Sequence, residues 1–278
     1  MTTSPHRKRN GFCRLLAAGC VAAGAAALAL GAEAQEAAPQ DSKPICADRP
    51  NKAASTCTVD AGHWQAEVDV ADWTQMKSAG TTTESAMFGA TVIKYGVDSK
   101  LDLELGVVPY QTLRAPGVRE SGFGDLTARA KLAVVTGDTA VTLFPFLKLP
   151  TAHQPLGNGA VEGGLIVPVG FNLPGGVNLT FNPEIDALHD GVGHGTHAAY
   201  ALSGVLGRSL TPEISGAVEL WAAHNDDPAG KLNQASFDLG LAWIPLKDQN
   251  LQLDAGANFG LTRDTPGVNV YVGVSRRF

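Results

Sequence analysis

Charged and aromatic residues are both scarce in this sequence of 278 residues. Charged residues make up 17% and aromatic residues 6% of the chain. The charged fraction is too low for a disordered chain or a nucleic-acid-binding protein. The first 34 residues hold four basic residues against one acidic residue. Without them, 17 of the 21 basic and 26 of the 27 acidic residues remain, so the rest of the chain has a net charge of −9. This balance offers no basic patch for the phosphates of a nucleic acid, and we expect no such partner.

Long apolar runs are also missing beyond the first 34 residues. The longest charge-free stretch there, 163–183, contains three prolines and five glycines. Proline and glycine disfavour helix interiors, so this stretch cannot form a transmembrane helix.

Sequence motifs of catalysis are absent as well. There is no H-E-x-x-H, G-x-S-x-G or Walker motif, and the glycine-rich GVGHGT at 191–196 opens no predicted helix. We therefore expect no catalytic residues, no cofactor and no bound metal.

The N-terminus has the three parts of a secretory signal peptide. Basic residues cluster at 7–14, an uncharged run of 16 residues fills 15–30, and an A-x-A pattern ends at Ala34. The alternative is a membrane anchor, but the run is shorter than the ~20 residues that span a bilayer. We expect residues 1–34 to form a signal peptide that is cleaved between Ala34 and Gln35.

Cys46 and Cys57 are the two cysteines that remain after this cleavage. Two cysteines in an exported chain indicate a disulfide, and closing this loop contributes roughly 3 kcal/mol in the chain-entropy model. The alternative, a pair of metal ligands, has no histidine partner nearby. Residues 35–62 around the cysteines show no periodicity, so we expect an irregular periplasmic lead-in pinned by the disulfide.

From residue 63 to residue 278, apolar and polar residues alternate in short runs. In 101–108, for example, leucines alternate with Asp102 and Glu104. This is the period of a strand with one apolar and one polar face. Clusters of Gly, Pro, Asn and Asp separate the runs. The predicted strands are 63–74, 84–97, 101–108, 124–134, 140–150, 161–173, 177–187, 197–210, 213–224, 235–243, 251–261 and 268–274.

Pro145 and Pro168 do not fit this pattern cleanly. Each falls in the middle of a predicted strand, where it removes a hydrogen-bond donor from the ladder. They mark either bulges or places where the strand boundaries differ from those predicted.

The connections between the predicted strands alternate between long and short. An even number of antiparallel strands with tight turns at one end and longer loops at the other is the layout of an outer-membrane barrel. A soluble β-sandwich also has alternating strands, but it does not predict alternating loop lengths. The sequence therefore predicts an all-β fold, a transmembrane antiparallel up-and-down β-barrel of about twelve strands, surrounded by the outer-membrane lipid of a Gram-negative bacterium. The long connections include 74–84, 112–122, 151–161 and 188–196, and the short ones include 174–176 and 210–212.

The last predicted strand carries a further signal. The sequence VNVYVGVSRRF has valine at alternate positions before the aromatic Phe278. It resembles the terminal-strand signal that the barrel-insertion machinery of the outer membrane recognises. We therefore expect Phe278 to act as an assembly signal and that machinery to be a partner.

Several stretches resemble one family of proteobacterial barrels. CADRPNKAASTCTVDAGHWQAEVDV at 46–70 is similar to the opening of the putative MetA-pathway of phenol degradation family. KYGVDSKLDLELGV at 94–107, GFGDLTARAKLAV at 122–134 and FLKLPTA at 146–152 are also similar, so the resemblance covers nearly the whole exported chain. It implies an outer-membrane barrel described as a transporter and a phenolic or aromatic cargo. It implies no agreed set of binding residues.

The polar faces of the predicted strands are expected to line the lumen. Acidic residues outnumber basic ones there, and two phenylalanines share the inward parity. This pattern predicts an acidic lumen with an aromatic patch, suited to neutral or cationic small solutes. The alternative is an interior filled with paired charges. If the lumen is open, neutralising Asp102 and Glu104 lowers its cation preference. The candidate lumen residues are Asp102, Glu104, Asp125, Arg129, Lys131, Phe144, Phe146, Glu184, Asp186, Asp238 and Asp254.

The sequence thus favours a passive channel for uptake or export of small hydrophobic or aromatic solutes, and not an enzyme. One alternative is a lipid-hydrolase-like barrel, for which Ser203 has no histidine at a matching depth. Another is a structural barrel without transport. His189, His194 and His197 crowd one predicted outer loop, and such clusters can bind Zn or Cu. We expect them instead to be ordinary polar loop residues.

Overall fold

The computed structural model describes residues 43–78 and 80–278. The predicted signal peptide and its cleavage site between Ala34 and Gln35 lie outside these residues. The described part of the chain contains no helix long and apolar enough to cross a membrane. It forms fifteen strand segments: β1 (Trp64–Ser78), β2 (Thr81–Gly96), β3 (Leu101–Val107), β4 (Tyr110–Ala115), β5 (Val118–Gly122), β6 (Leu126–Val135), β7 (Thr139–Leu149), β8 (Glu162–Ile166), β9 (Val169–Leu173), β10 (Val177–His189), β11 (Thr196–Ser209), β12 (Ile214–Asn225), β13 (Leu232–Trp243), β14 (Leu251–Gly260) and β15 (Val268–Arg277).

These segments form one closed antiparallel sheet. The last segment, β15, pairs with β1 from Gln65↔Arg277 to Gln75↔Val268, which closes the sheet on itself. Three barrel strands are each split into two consecutive segments, namely β3–β4, β5–β6 and β8–β9. Counted as single strands, they give twelve strands, which confirms the predicted up-and-down barrel. Closure leaves no unpaired edge, as a bilayer requires.

Prolines mark two of the irregularities in the barrel wall. Pro168 separates β8 from β9, and hydrogen bonds on both sides of it bridge the break: Thr142 N–H donates to the Pro168 carbonyl and Val167 N–H to the Pro183 carbonyl, both at 2.9 Å. Pro145 stays within β7. The pairing of β6 with β7 skips from Arg129↔Phe146 to Leu132↔Leu143, so the ladder is open where the proline lacks its donor.

Two of the predicted long connections are largely strand. The ranges 74–84 and 112–122 form the tips of the hairpins β1–β2 and β4–β5, and each turns at a glycine with positive φ, Gly80 at 77° and Gly117 at 76°. Their sequences lack a continuous apolar face, because a strand that extends beyond the lipid needs none. Alternation therefore could not reveal them.

The two faces of the barrel wall invert the pattern of a soluble protein. Leu103, Ile185 and Leu202 point outward and are 50%, 50% and 51% exposed, whereas Asp102 and Glu104 point inward and are 4% exposed or less. An apolar exterior around a charged interior is the surface of a barrel that crosses a membrane. This excludes the β-sandwich as an interpretation of the sequence.

Candidate functional site in the barrel lumen

Residues 43–62, here called the luminal segment, lie inside the barrel. They form no strand or helix, as the sequence predicts. The segment does not precede the barrel as a separate lead-in, however, because its hydrogen bonds reach inward-facing residues all around the wall. Partners on opposite parts of the wall include Asp102 on β3, Asn182 on β10 and Asp254 on β14. The predicted disulfide between Cys46 and Cys57 is present within the segment, with Cα atoms 6.4 Å apart.

Two cations of the luminal segment bind carboxylates of the wall. The Arg49 guanidinium contacts Asp254 at 2.8 Å and also pairs with Asp69. The Lys52 ammonium lies 3.0 Å from a carboxylate oxygen of Asp238. Two of the candidate lumen residues, Asp238 and Asp254, therefore hold the segment in place. Sequence patterns could not identify Arg49 and Lys52, because nothing in an aperiodic segment indicates what it contacts.

Backbone groups of the luminal segment also bind wall carboxylates. The amides of Lys52 and Ala53 each donate to Glu219 at 2.9 Å, and the amide of Val59 donates to Asp102 at 2.9 Å. A segment without secondary structure has many free backbone donors, and charged acceptors give them stronger hydrogen bonds than neutral ones.

Asp48 joins the segment to two buried lysines. Its carboxylate lies 2.6 Å from the Lys131 ammonium and also pairs with Lys94. Burial by itself raises the pKa of Asp48, but the two ammonium groups outweigh burial and hold that pKa well below its usual range. Glu104 lies 3.4 Å from the Lys94 ammonium and 3.8 Å from the Lys131 ammonium. We call the wall residues that bind the segment, together with Glu104, the packed side of the lumen.

A cavity of about 490 Å³ remains beside the luminal segment. We call four of its wall residues, Arg129, Phe146, Lys148 and Glu184, the open side. Asp69 and Lys94, which bind the segment, border the cavity as well. Phe144 lies at the border and is only 2% exposed. Its ring receives the Lys131 ammonium at 4.7 Å and the Arg129 guanidinium carbon at 5.9 Å from its centroid. The aromatic patch predicted from the sequence therefore lies beside two cationic side chains.

Three neighbouring strands shape the open side around a glycine. Gly164 on β8 pairs with Phe146 on β7 and with Asp186 on β10. A Cβ at this position would lie 2.0 Å from an Asp186 carboxylate oxygen and 2.8 Å from the Phe146 ring. The glycine therefore leaves room for both side chains. Glu184 faces inward two residues before Asp186, so two carboxylates stand one above the other on β10.

The remaining candidate, Asp125, lies at the edge of the open side. It accepts the backbone N–H of Ala152 at 2.9 Å and lies 3.5 Å from the Lys148 ammonium. Lys148 also pairs with Glu162 at 2.7 Å. Arg129 is thus the more available of the two cations on the open side.

Two further observations concern the alternatives raised by the sequence. Ser203 is 3% exposed and pairs with Asn182 and Trp221 in the ladders, so it lies on the wall's interior side, away from the lipid face where a lipid hydrolase would act. Cavities of about 380 Å³ and 350 Å³ also border the luminal segment. The segment narrows the interior without filling it.

A closed twelve-stranded barrel with an apolar exterior and a charged interior is an outer-membrane β-barrel of porin-like architecture. Residues 47–278 match the family described as Putative MetA-pathway of phenol degradation, and the chain belongs to that family. No curated protein matches the sequence.

Solved structures with the same fold are distant in sequence. The COG4313 outer membrane channel from Pseudomonas putida F1 is similar with a TM-score of 0.66 and 14% identity, over 81% of this chain and 98% of that one. The NanC porin has a TM-score of 0.52 and 9% identity, over 76% and 98%. The translocator domain of the autotransporter NalP from Neisseria meningitidis has a TM-score of 0.50 and 12% identity, over 79% and 90%.

Proposed function

We propose that this protein is a passive outer-membrane channel for small hydrophobic or aromatic solutes. The observation that carries the proposal is the cavity of about 490 Å³, because it joins an aromatic side chain, Phe146, to unlike charges on Arg129 and Glu184. Membership of the phenol-degradation family and the likeness to barrels named as channel and porin support it.

The arrangement of the open side suits a flat, apolar solute with one polar group. An aromatic solute can stack on Phe146, and aromatic pairs contribute about 0.5–1.5 kcal/mol beyond the area that they bury. Arg129 and Glu184 offer a cation and an anion beside that ring, so a phenolic hydroxyl or an ammonium group finds a partner. Such weak, single contacts allow a solute both to enter and to leave, as conduction requires.

Planar-bilayer recordings with a matched pair of blockers test the proposal. Benzyltrimethylammonium is expected to block the ion current at a lower concentration than tetramethylammonium, by about 2- to 10-fold from the stacking energy. The Phe146→Ala variant is expected to lose this difference. Phe181→Ala is the control, because Phe181 lies on the outer face and is 40% exposed.

Two outcomes would contradict different parts of the proposal. A wild-type protein that inserts into bilayers without conducting would refute the channel and favour a structural barrel. A conducting protein that both cations block equally would refute only the preference for aromatic solutes.

A further inference from the structure

Two loops at one end of the barrel meet in a cluster of two carboxylates and an imidazole. Asp190 begins the β10–β11 connection, His197 is the second residue of β11, and Asp227 lies in the β12–β13 connection. One ligand atom from each of the three side chains lies within 4.8 Å of the other two. From the sequence, only His189, His194 and His197 form a cluster here, and we expect those three to be ordinary polar loop residues. Asp227 does not enter that cluster because it lies thirty residues beyond His197 and is acidic.

The imidazole of His197 is buried, and only one of its two ring nitrogens has a hydrogen-bond partner. Its side chain is 6% exposed, and Nδ1 lies 2.9 Å from an Asp190 carboxylate oxygen. Nε2 is buried and has no hydrogen-bond partner. Buried polar atoms are nearly always paired, so an orphaned ring nitrogen in a carboxylate cluster requires an explanation. A carboxylate that holds one ring nitrogen cannot also reach an ion on the other nitrogen, so an ion bound among the three side chains replaces the contact between Nδ1 and Asp190.

Glycines let the backbone wrap closely around both carboxylates. A Cβ at Gly195 would lie 2.1 Å from Oδ2 of Asp190, and a Cβ at Gly191 would lie 2.8 Å from Oδ2 of Asp227. The backbone N–H groups of Ala229, at 2.8 Å, and Gly191, at 3.1 Å, donate to Asp227. These two bonds fix the position of the Asp227 carboxylate beside the first loop.

We propose that Asp190, His197 and Asp227 bind one divalent transition-metal ion of the zinc class and thereby join the β10–β11 loop to the β12–β13 loop. One nitrogen and two carboxylate oxygens are ligands that zinc accepts, with water in the fourth position. Calcium and magnesium prefer oxygen ligands alone and are disfavoured by the imidazole. Because zinc holds such ligands at ~2.0–2.2 Å, the two loops must move together slightly when the ion binds.

Equilibrium dialysis of Zn²⁺ against the full protein in detergent, purified without a histidine tag and stripped with EDTA, tests the site. The wild-type protein is expected to bind one ion per chain. His197→Ala is expected to weaken that binding by at least about 100-fold through loss of a direct ligand, since even second-shell losses cost 10–100-fold. The matched control is His194→Ala, which removes an exposed histidine from the same loop and is expected to bind as the wild type does.

Three outcomes would overturn the proposal: no saturable binding by the wild-type protein, undiminished binding by His197→Ala, or equal loss in both histidine variants. If His197→Ala fails to fold, as judged by its circular dichroism, Asp190→Asn replaces it. Asparagine keeps the shape of the side chain and removes the charge that the ion requires, so retained binding in this variant would also refute the site.

Discussion

The two sides of the lumen carry similar residues that are used differently. On the packed side, Asp238 and Asp254 pair with cations of the luminal segment and are 6% exposed or less. On the open side, Glu184 and Arg129 face the cavity and make no ion pair within 4.0 Å among the described residues. Counting the charged residues at the inward-facing strand positions does not distinguish the two sides. The difference teaches that pairing, and not number, decides which charges act on a passing solute.

The largest expected difference between the two sides is the loss of folding stability when a carboxylate is neutralised. Asp48→Asn removes a charge that pairs with Lys131, whose ammonium is then left with Glu104 at 3.8 Å. Breaking one partner of a buried pair costs about 3–5 kcal/mol. Glu184→Gln on the open side is the matched change, with an expected cost below about 1 kcal/mol. Unfolding in urea, followed by tryptophan fluorescence, measures both, and equal costs would show that the open side is packed as well.

The same pair of proteins yields a pH dependence. Asp48 has a lowered pKa in the folded protein because Lys131 and Lys94 outweigh its burial. Such a carboxyl contributes stability above its unfolded pKa of ~3.9, and the contribution is lost as the pH falls toward the folded value. The advantage of the wild type over Asp48→Asn is therefore expected to persist as the pH falls to about 5 and to shrink only in stronger acid. An advantage that already shrinks near pH 6 would contradict this.

Conductance is expected to show the next largest contrast. The double variant Arg49→Ala with Lys52→Ala removes both cations that bind the luminal segment to Asp254 and Asp238. Because the freed carboxylates lose buried partners, the docked position of the segment becomes less favourable by several kcal/mol. Single-channel conductance is expected to rise several-fold. Arg129→Ala removes a cation from the open side and is expected to leave the conductance within about twofold of the wild type, so equal increases would show that charge alone sets the current.

Strand positions and the disulfide were accessible from sequence because each rests on local pattern. Period-two alternation located at least part of each of the twelve barrel strands, and the presence of two cysteines in an exported chain indicated that they form a disulfide. The luminal segment was not accessible, since its contacts join residues such as Arg49 and Asp254, about two hundred positions apart, without any periodicity. Lys94 was missed for a related reason. Gly89, with φ of 68°, interrupts the backbone of β2 and obscures the alternation there.

Ion selectivity is expected to respond on the open side and to change little on the packed side. The sequence predicts that Asp102 and Glu104 set the cation preference, but in the structure both are buried. Asp102 accepts the Val59 amide, and Glu104 lies within 4 Å of two lysine ammonium groups. We expect Glu184→Gln with Asp186→Asn to lower the cation preference instead. A carboxylate near a passing ion contributes on the order of 1 kcal/mol in a partly hydrated pore, or several-fold in the permeability ratio.

The two double variants are closely matched, because each removes two carboxylates at alternate inward positions of one strand. Reversal potentials in a salt gradient compare them directly. A larger shift from Asp102→Asn with Glu104→Gln would mean that the luminal segment leaves the packed side open under the conditions of the recording.

The disulfide is expected to have the smallest effect on the current. Both cysteines lie within the luminal segment, so their bond shortens the segment's own loop and does not attach it to the wall. Closing a loop of about a dozen residues restricts mainly the unfolded chain, by roughly 3 kcal/mol at most. The ion pairs of Arg49 and Lys52 and the backbone bonds to Glu219 remain when the disulfide is gone. The variant Cys46→Ser with Cys57→Ser is therefore expected to unfold at a lower urea concentration. Its conductance is expected to stay within about 20–30% of the wild-type value, because the disulfide acts mainly on the unfolded chain and not on the docked segment. A several-fold jump in conductance would mean that the loop's shape, and not its ion pairs, keeps the segment against the packed side.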